Sequence, residues 1–201
     1  VTVVKRDAST GKAIPMAGVE FRLLDENKEP VTMTTRYPNE EVHETFKTNE
    51  EGQFTFPNML KSGTYYLEEQ NAPGGYLKGE LLEFKVEDGA TWEHPLVVEY
   101  ADENVMGKIR IEKVGVKNTD EETNGENADG ETRDGEASDE KAADIETELP
   151  LDGARFEIMA AEKIVTPDGT VRALEGDVVD TVTTVHGVAE SKPLYLGKHG
   201  A

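Results

Sequence analysis

The sequence predicts an all-β chain built as two tandem sandwiches, and three observations carry that prediction. Hydrophobicity alternates with period two through most of the chain, as it does in strands with one buried face. Turn residues punctuate these runs at Asn49-Glu50-Glu51-Gly52, Ala72-Pro73-Gly74-Gly75 and Pro167-Asp168-Gly169, a pattern of short strands joined by tight turns. A phrase also recurs at domain spacing: Ile14-Pro15-Met16-Ala17-Gly18-Val19-Glu20-Phe21-Arg22-Leu23 returns as Leu149-Pro150-Leu151-Asp152-Gly153-Ala154-Arg155-Phe156-Glu157-Ile158. No segment carries a long helical stripe.

The elements follow in order from this alternation. Val1, Val3 and Lys5 share one face of the opening strand, and the repeated phrase supplies the next. Tyr65, Leu67 and Glu69 share a face further on, and Val98, Tyr100 and Asp102 share a face at the end of the first unit. Ile109, Ile111 and Lys113 then repeat the opening pattern, so each copy of the phrase follows a β-branched run that ends in lysine. The boundary falls near Met106-Gly107 and divides the chain into units 1–106 and 107–201. The strand from Leu96 to Tyr100 runs almost directly into Lys108-Ile109-Arg110-Ile111, and so short a linker limits bending between units.

The second unit carries an insertion. Lys5 and Gly18 are 13 positions apart, whereas Lys113 and Gly153 are 40 apart, a difference of 27 residues. Residues 116–148 hold 13 acidic and 3 basic side chains among Gly, Asn, Ser and Thr. Such a segment buries too little apolar surface to offset its ordering entropy, and disorder is expected there.

Composition narrows the function. Lys and Arg total 21 against 42 for Asp and Glu, a formal charge of -21 that repels phosphate backbones and anionic lipid head groups alike. Nucleic acid is excluded as a partner on that ground. The absence of any apolar run of spanning length excludes direct membrane insertion of this segment. No signal peptide opens the chain and Val1 already lies in a strand pattern, so the chain reads as a piece of a longer polypeptide. Units of about 100 residues are only just self-sufficient, yet cysteine is absent. Any staple must use other chemistry.

The run Gly63-Thr64-Tyr65-Tyr66-Leu67-Glu68-Glu69-Gln70-Asn71-Ala72-Pro73-Gly74-Gly75-Tyr76 resembles the G-x-Y-x-L-x-E-x-x-A-P-x-G-Y signature of Cna protein B-type domains, also called SpaA-type or prealbumin-like domains. The strand with Lys5, then Thr10-Gly11 and Ala17-Gly18-Val19-Glu20-Phe21, is similar to that family's first two strands. In the second unit, Thr184-Val185-His186-Gly187 and Pro193-Leu194-Tyr195-Leu196-Gly197 echo Thr48 to Gly52 and Met59 to Gly63. The fold so implied is an Ig-like, prealbumin-like sandwich, repeated in tandem.

The resemblance also implies a self-made isopeptide bond, with Lys5 as nucleophile, Glu69 as catalytic acid and Asp102 as electrophile. Asn104 is the alternative electrophile and would release ammonia where Asp102 releases water. The physical logic runs beside the analogy. Burial in a sandwich interior disfavours charge, which favours a neutral, nucleophilic amine and a protonated carboxyl able to polarise the carbonyl under attack. The reaction occurs once per molecule, so the chain is no enzyme in the turnover sense, and no cofactor is implied. Gly197 matches Gly63, which puts the counterpart of Glu69 two places past Ala201. Lys113 is therefore expected to lack a reaction partner within the chain, in a unit that is incomplete, loosely packed and open at one edge.

Rival signals are weaker. Asn127, Asp129, Gly130 and Glu136 have part of an EF-hand spacing, but Gly125 holds the first ligand position and no helices flank the stretch. Leu149-Pro150-Leu151-Asp152-Gly153 has Asp where a sortase signal needs threonine. His43, His94, His186 and His199 lack metal-ligand spacing, so no metal site is assigned, and Trp92 reads as strand-end packing. The family resemblance implies a structural stalk or adhesion module of a sortase-anchored, extracellular cell-wall protein of Gram-positive type, partnered by neighbouring domains of the same protein. The alternative is a module that itself recognises a host extracellular-matrix protein or glycan, which an exposed aromatic or apolar patch would favour.

Overall fold

The computed structural model describes residues 1–88, 91, 93–117 and 147–201, and all of their regular elements are strands. The first half contributes β1 (Thr2–Asp7), β2 (Glu20–Leu24), β3 (Met33–Thr35), β4 (Glu41–His43), β5 (Phe46–Lys47), β6 (Gln53–Thr55), β7 (Gly63–Glu69), β8 (Leu82–Val86) and β9 (Val97–Asp102). One sheet has the order β6-β1-β9 and the other β5-β2-β7-β8, with β3 and β4 as a separate hairpin. The first and last strands pair in parallel, Val3 opposite Val98, Lys5 opposite Tyr100 and Asp7 opposite Asp102.

Alternation decides what lies between the sheets. Every second residue of β1 is buried, namely Val3, Lys5 and Asp7, as are Val98, Tyr100 and Asp102 of β9. Phe21 and Leu23 of β2, Leu67 of β7 and Phe84 and Val86 of β8 face them from the opposite sheet, closed by Phe46 and Phe56. Each such side chain contributes about 1.5–3 kcal/mol by leaving water. The same inward face thus carries apolar residues along most of its length and charged ones at one end.

The second half contributes β10 (Met106–Gly107), β11 (Arg110–Glu112), β12 (Val114–Lys117), β13 (Thr147–Pro150), β14 (Arg155–Ala160), β15 (Ile164–Val165), β16 (Val171–Ala173), β17 (Val178–Thr183), β18 (Val188–Glu190), β19 (Leu194–Tyr195) and β20 (His199–Gly200). β14 pairs with β17 on one side and β20 on the other, as β2 pairs with β5 and β7. Met106-Gly107 is not a bare linker: it forms β10 and pairs with β19. The ladder β12-β13 runs two pairs into the 116–148 stretch, Val116 with Glu148 and Lys117 with Thr147, so the expected disorder does not begin at 116. The rest of that stretch, with its partial EF-hand spacing, and Trp92 lie outside the described residues.

The repeated phrase is also repeated in hydrogen bonding. Thr48 Oγ1 donates to Met16 O and accepts from Val19 N, while Thr184 Oγ1 donates to Leu151 O and accepts from Ala154 N. Gly18 N donates to Thr48 O and Gly153 N to Thr184 O, both at 2.9 Å.

A polar joint connects the halves. Asp7, fully buried, accepts through Oδ1 from Ser9 and Thr10 and through Oδ2 from Tyr76, Asn104 and Arg172. Burial alone would raise its carboxyl, but hydrogen bonds from Ser9, Asn104 and Tyr76 outweigh it and hold Asp7 well below the usual carboxylate range. The Arg172 guanidinium also stacks 4.3 Å from the Tyr195 ring centroid and donates to Ser9 Oγ. Asp168 accepts from Thr10 across the same boundary, and Lys12 Nζ donates to Thr170.

Arg172→Met removes a charge-assisted bond worth about 1.5–3 kcal/mol. It should broaden the distance distribution between spin labels on β8 and β17 while leaving the first half folded; an unchanged distribution would show that Arg172 does not hold the joint. Since Asp7 titrates lower when folded, its stabilisation is complete above about pH 4 and is lost as the pH falls further. The same labels should therefore report loosening in acid.

Candidate functional site

Lys5 is aimed inward by the backbone around it. β1 is pinned between β6 and β9, Lys5 N donates to Gly52 O at 2.9 Å, and Lys5 O accepts from Ile14 N at 3.0 Å. The turn that brings Gly52 there needs glycine, with φ at +74° and a would-be Cβ only 1.8 Å from Ile14 O. Glu69 ends β7 in the opposite sheet, paired with Phe21, and Asp102 ends β9 in the same sheet as Lys5.

The three side chains meet between the sheets. Lys5 Nζ lies 2.9 Å from Glu69 Oε1 and in closest contact with Asp102 Oδ1, and all three side chains are fully buried. Aromatic rings enclose the amine: Nζ is 4.1 Å from the Tyr100 ring centroid and 5.7 Å from that of Phe21. Among the described residues, Lys5 Nζ, Glu69 Oε1 and both Asp102 side-chain oxygens have no partner in hydrogen-bonding geometry. Burying one such ion costs several kcal/mol even after relaxation, and here two carboxyls share one cation.

Burial raises the Asp102 carboxyl, Lys5 pulls it down and Glu69 pushes it up again, leaving it at about 6. The Tyr100 phenol is likewise raised, first by burial and then by the neighbouring Glu69 and Asp102 charges. A lysine nitrogen, a carboxyl carbon and a second carboxyl thus stand together in a dry site.

Asn104 is placed elsewhere. Its side-chain amide donates to Asp7 Oδ2 at 2.8 Å, so Asp102 and not Asn104 is the group in contact with Lys5. Lys113 has the same backbone setting as Lys5, donating to Gly187 O at 2.7 Å and accepting from Leu151 N at 2.9 Å, but its side chain is exposed. β11 pairs with β18 alone among the described residues, and Lys113 forms no ion pair among them.

Two further residues touch the site without having been singled out from sequence. Gly79, in the β7–β8 connection, donates its N–H to Glu69 Oε2 at 2.9 Å, and Tyr100 OH donates to Glu80 O at 2.6 Å. A glycine between Lys78 and Glu80 reads as an ordinary turn residue, so spacing gave no signal for it. The described residues contain no cluster of three or more His, Asp or Glu side chains arranged to hold a metal ion.

Residues 1–96 match the family profile described as SpaA, a prealbumin-like fold domain. Among solved structures, the TIE protein of Bacillus anthracis is similar at 20% identity over 98% of this chain and 26% of its own, with a TM-score of 0.44. The shaft pilin SpaA from Lactobacillus rhamnosus GG is similar at 18% identity over 52% of this chain and 45% of its own, with a TM-score of 0.38. GBS52, the minor pilin of Streptococcus agalactiae, shows 20% identity over 52% of this chain and 43% of its own, with a TM-score of 0.41. The chain thus spans about a quarter of the TIE protein and under half of either pilin. No curated protein matches this chain. Residues 1–96, just under half of the chain, thus match a SpaA-type prealbumin-like domain, and their two-sheet architecture agrees with that match.

Proposed function

We propose that the chain is a load-bearing stalk segment of a cell-wall-anchored, extracellular surface protein of Gram-positive type, with residues 1–106 and 107–201 as tandem modules. The first module is stapled by an amide between Lys5 and Asp102, with Glu69 as the proton-transfer group. One observation carries this reading: three ionisable side chains lie in contact and fully buried, with Lys5 Nζ, Glu69 Oε1 and both Asp102 oxygens lacking hydrogen-bond partners among the described residues, in the interior of a domain that has no cysteine. As a mere ion pair the cluster would burden the fold. As an amide it carries no charge beyond that of Glu69.

The chemistry balances without an outside reagent. The Lys5 ammonium first passes a proton to the Asp102 carboxylate; the resulting amine attacks Asp102 Cγ, Glu69 delivers a second proton to the departing Asp102 oxygen, the C–O bond breaks and water departs. A proton from the amine returns to Glu69, so an ammonium and a carboxylate become one amide plus one water. Pre-positioning on two strands supplies the effective molarity that an untethered amine and acid lack.

The mechanical reading follows from topology. β1 and β9 are parallel neighbours, so a pull from the start of β1 to the end of β9 loads them in shear, and the amide would carry that load. The ligand-binding reading gains no comparable support. The exposed large apolar side chains of this half are spread over Tyr37 and Val42 of one hairpin, Met59 before β7, Leu77 and Leu81 before β8, Val97 at the start of β9 and Met106 beyond its end, which is ordinary for a surface. No helix of the described residues is long and apolar enough to cross a membrane.

The denatured intact mass of the full chain should fall short of the sequence mass by one water. Asp102→Asn should instead lose ammonia, and Glu69→Ala should lose nothing; a full sequence mass in the unaltered chain would contradict the reading. Closing a loop of roughly 100 residues is worth about 4.7 kcal/mol in the chain-entropy account. Chemical denaturation should therefore show the linked chain more stable than the unlinked Glu69→Ala chain by at least that order, and equal midpoints would remove the mechanical role.

A further inference from the structure

Gly79 stands out because its glycine is required by contact and not by backbone angle, its φ lying outside the left-handed region. A Cβ built there would sit 2.5 Å from Tyr100 Cε1, 2.8 Å from its hydroxyl and 2.7 Å from Asp102 Oδ1, distances that real Cβ atoms essentially never show. The segment around it is tied down on three sides. Leu77 N donates to Glu103 O at 2.8 Å, Gly79 N to Glu69 Oε2 at 2.9 Å, and Glu80 O accepts from Tyr100 OH at 2.6 Å. Residues 77–80 therefore form a strap over the Lys5, Glu69 and Asp102 cluster, reaching from the strand that ends in Glu69 to the strand that ends in Asp102.

The strap makes the two oxygens of Glu69 unequal. A protonated carboxyl has one hydroxyl oxygen and one carbonyl oxygen, and the oxygen that accepts an amide N–H is best suited to be the carbonyl. Gly79 engages Oε2, which leaves the proton on Oε1, the oxygen 2.9 Å from Lys5 Nζ. The same N–H stabilises the carboxylate that remains after the proton has gone.

We propose that Gly79 is a positioning residue for the crosslinking step: its amide sets the mobile proton of Glu69 on Oε1, facing the reacting pair, and its bare Cα lets the strap close on Asp102 and Tyr100. This rests on the crosslink reading above. In that step the proton leaves Oε1 for an Asp102 oxygen as the Lys5 nitrogen bonds Asp102 Cγ, and the amine proton returns to Glu69 as water departs.

The test follows the mass change over time. The full chain is made by cell-free synthesis, sampled into acid denaturant and weighed, across a range of pH. The variants are Gly79→Ala, Glu69→Ala, and a chain with an ester in place of the amide at Gly79, which removes the N–H and adds no bulk. The ester chain should fold by circular dichroism yet crosslink about 100-fold more slowly, the low end of what a general acid contributes, with a displaced rate–pH curve. Gly79→Ala should slow at least as much; should it fail to fold, the ester chain decides. An ester chain that crosslinks at the unaltered rate, or more slowly with an unchanged pH curve, overturns the proposal. The two readings fail separately: no water loss in the unaltered chain removes the crosslink itself, whereas water loss that needs Glu69 but ignores the ester removes Gly79 alone.

Discussion

The architecture turns on the burial of one amine between two carboxyls at the closed end of a sandwich. Lys5, Glu69 and Asp102 each occupy a position that strand alternation sends inward, and each belongs to a different strand, two in one sheet and one in the other. A dry interior penalises these charges severely, and one hydrogen bond, from Gly79 N–H to Glu69 Oε2, relieves little of the penalty. The apolar core of Phe21, Leu67 and Val98 and their neighbours holds the cluster in place, and the proposed amide would discharge it. On this view, burial is both the cost of the site and the source of its reactivity.

A second buried carboxylate, two residues along the same strand, has the opposite character. Asp7 is surrounded by donors from Ser9, Thr10, Tyr76, Asn104 and Arg172, and remains an anion where Asp102 is driven toward neutrality. Two aspartates that sit opposite each other in the β1–β9 ladder are thus assigned different work by their partners. One is the proposed partner of Lys5 in bond formation. The other anchors Arg172 and joins the first half to the second, so the proposed staple and the joint are neighbours on one line of force.

Much of this was legible in the sequence. Period-two alternation put Lys5, Glu69 and Asp102 on inward faces, and the repeated phrase anticipated the matching hydrogen bonds of Thr48 and Thr184. The same alternation also turns Asp7 inward, two residues after Lys5, a signal present in the pattern. Other parts depend on tertiary geometry that no spacing encodes. Gly79 matters because a distant ring and carboxylate occupy the space its Cβ would need. Arg172 reaches Asp7 across 165 positions. Asp102 closes β9 and reaches Lys5, whereas Asn104 lies past that strand, bridged to Tyr76, and reaches Asp7.

The most direct measurement of the central claim is tandem mass spectrometry of a proteolytic digest of the full chain. The account predicts one branched peptide in which fragment ions join Lys5 Nζ to the side chain of Asp102. Two separate linear peptides, each with an unmodified side chain at these positions, would contradict it.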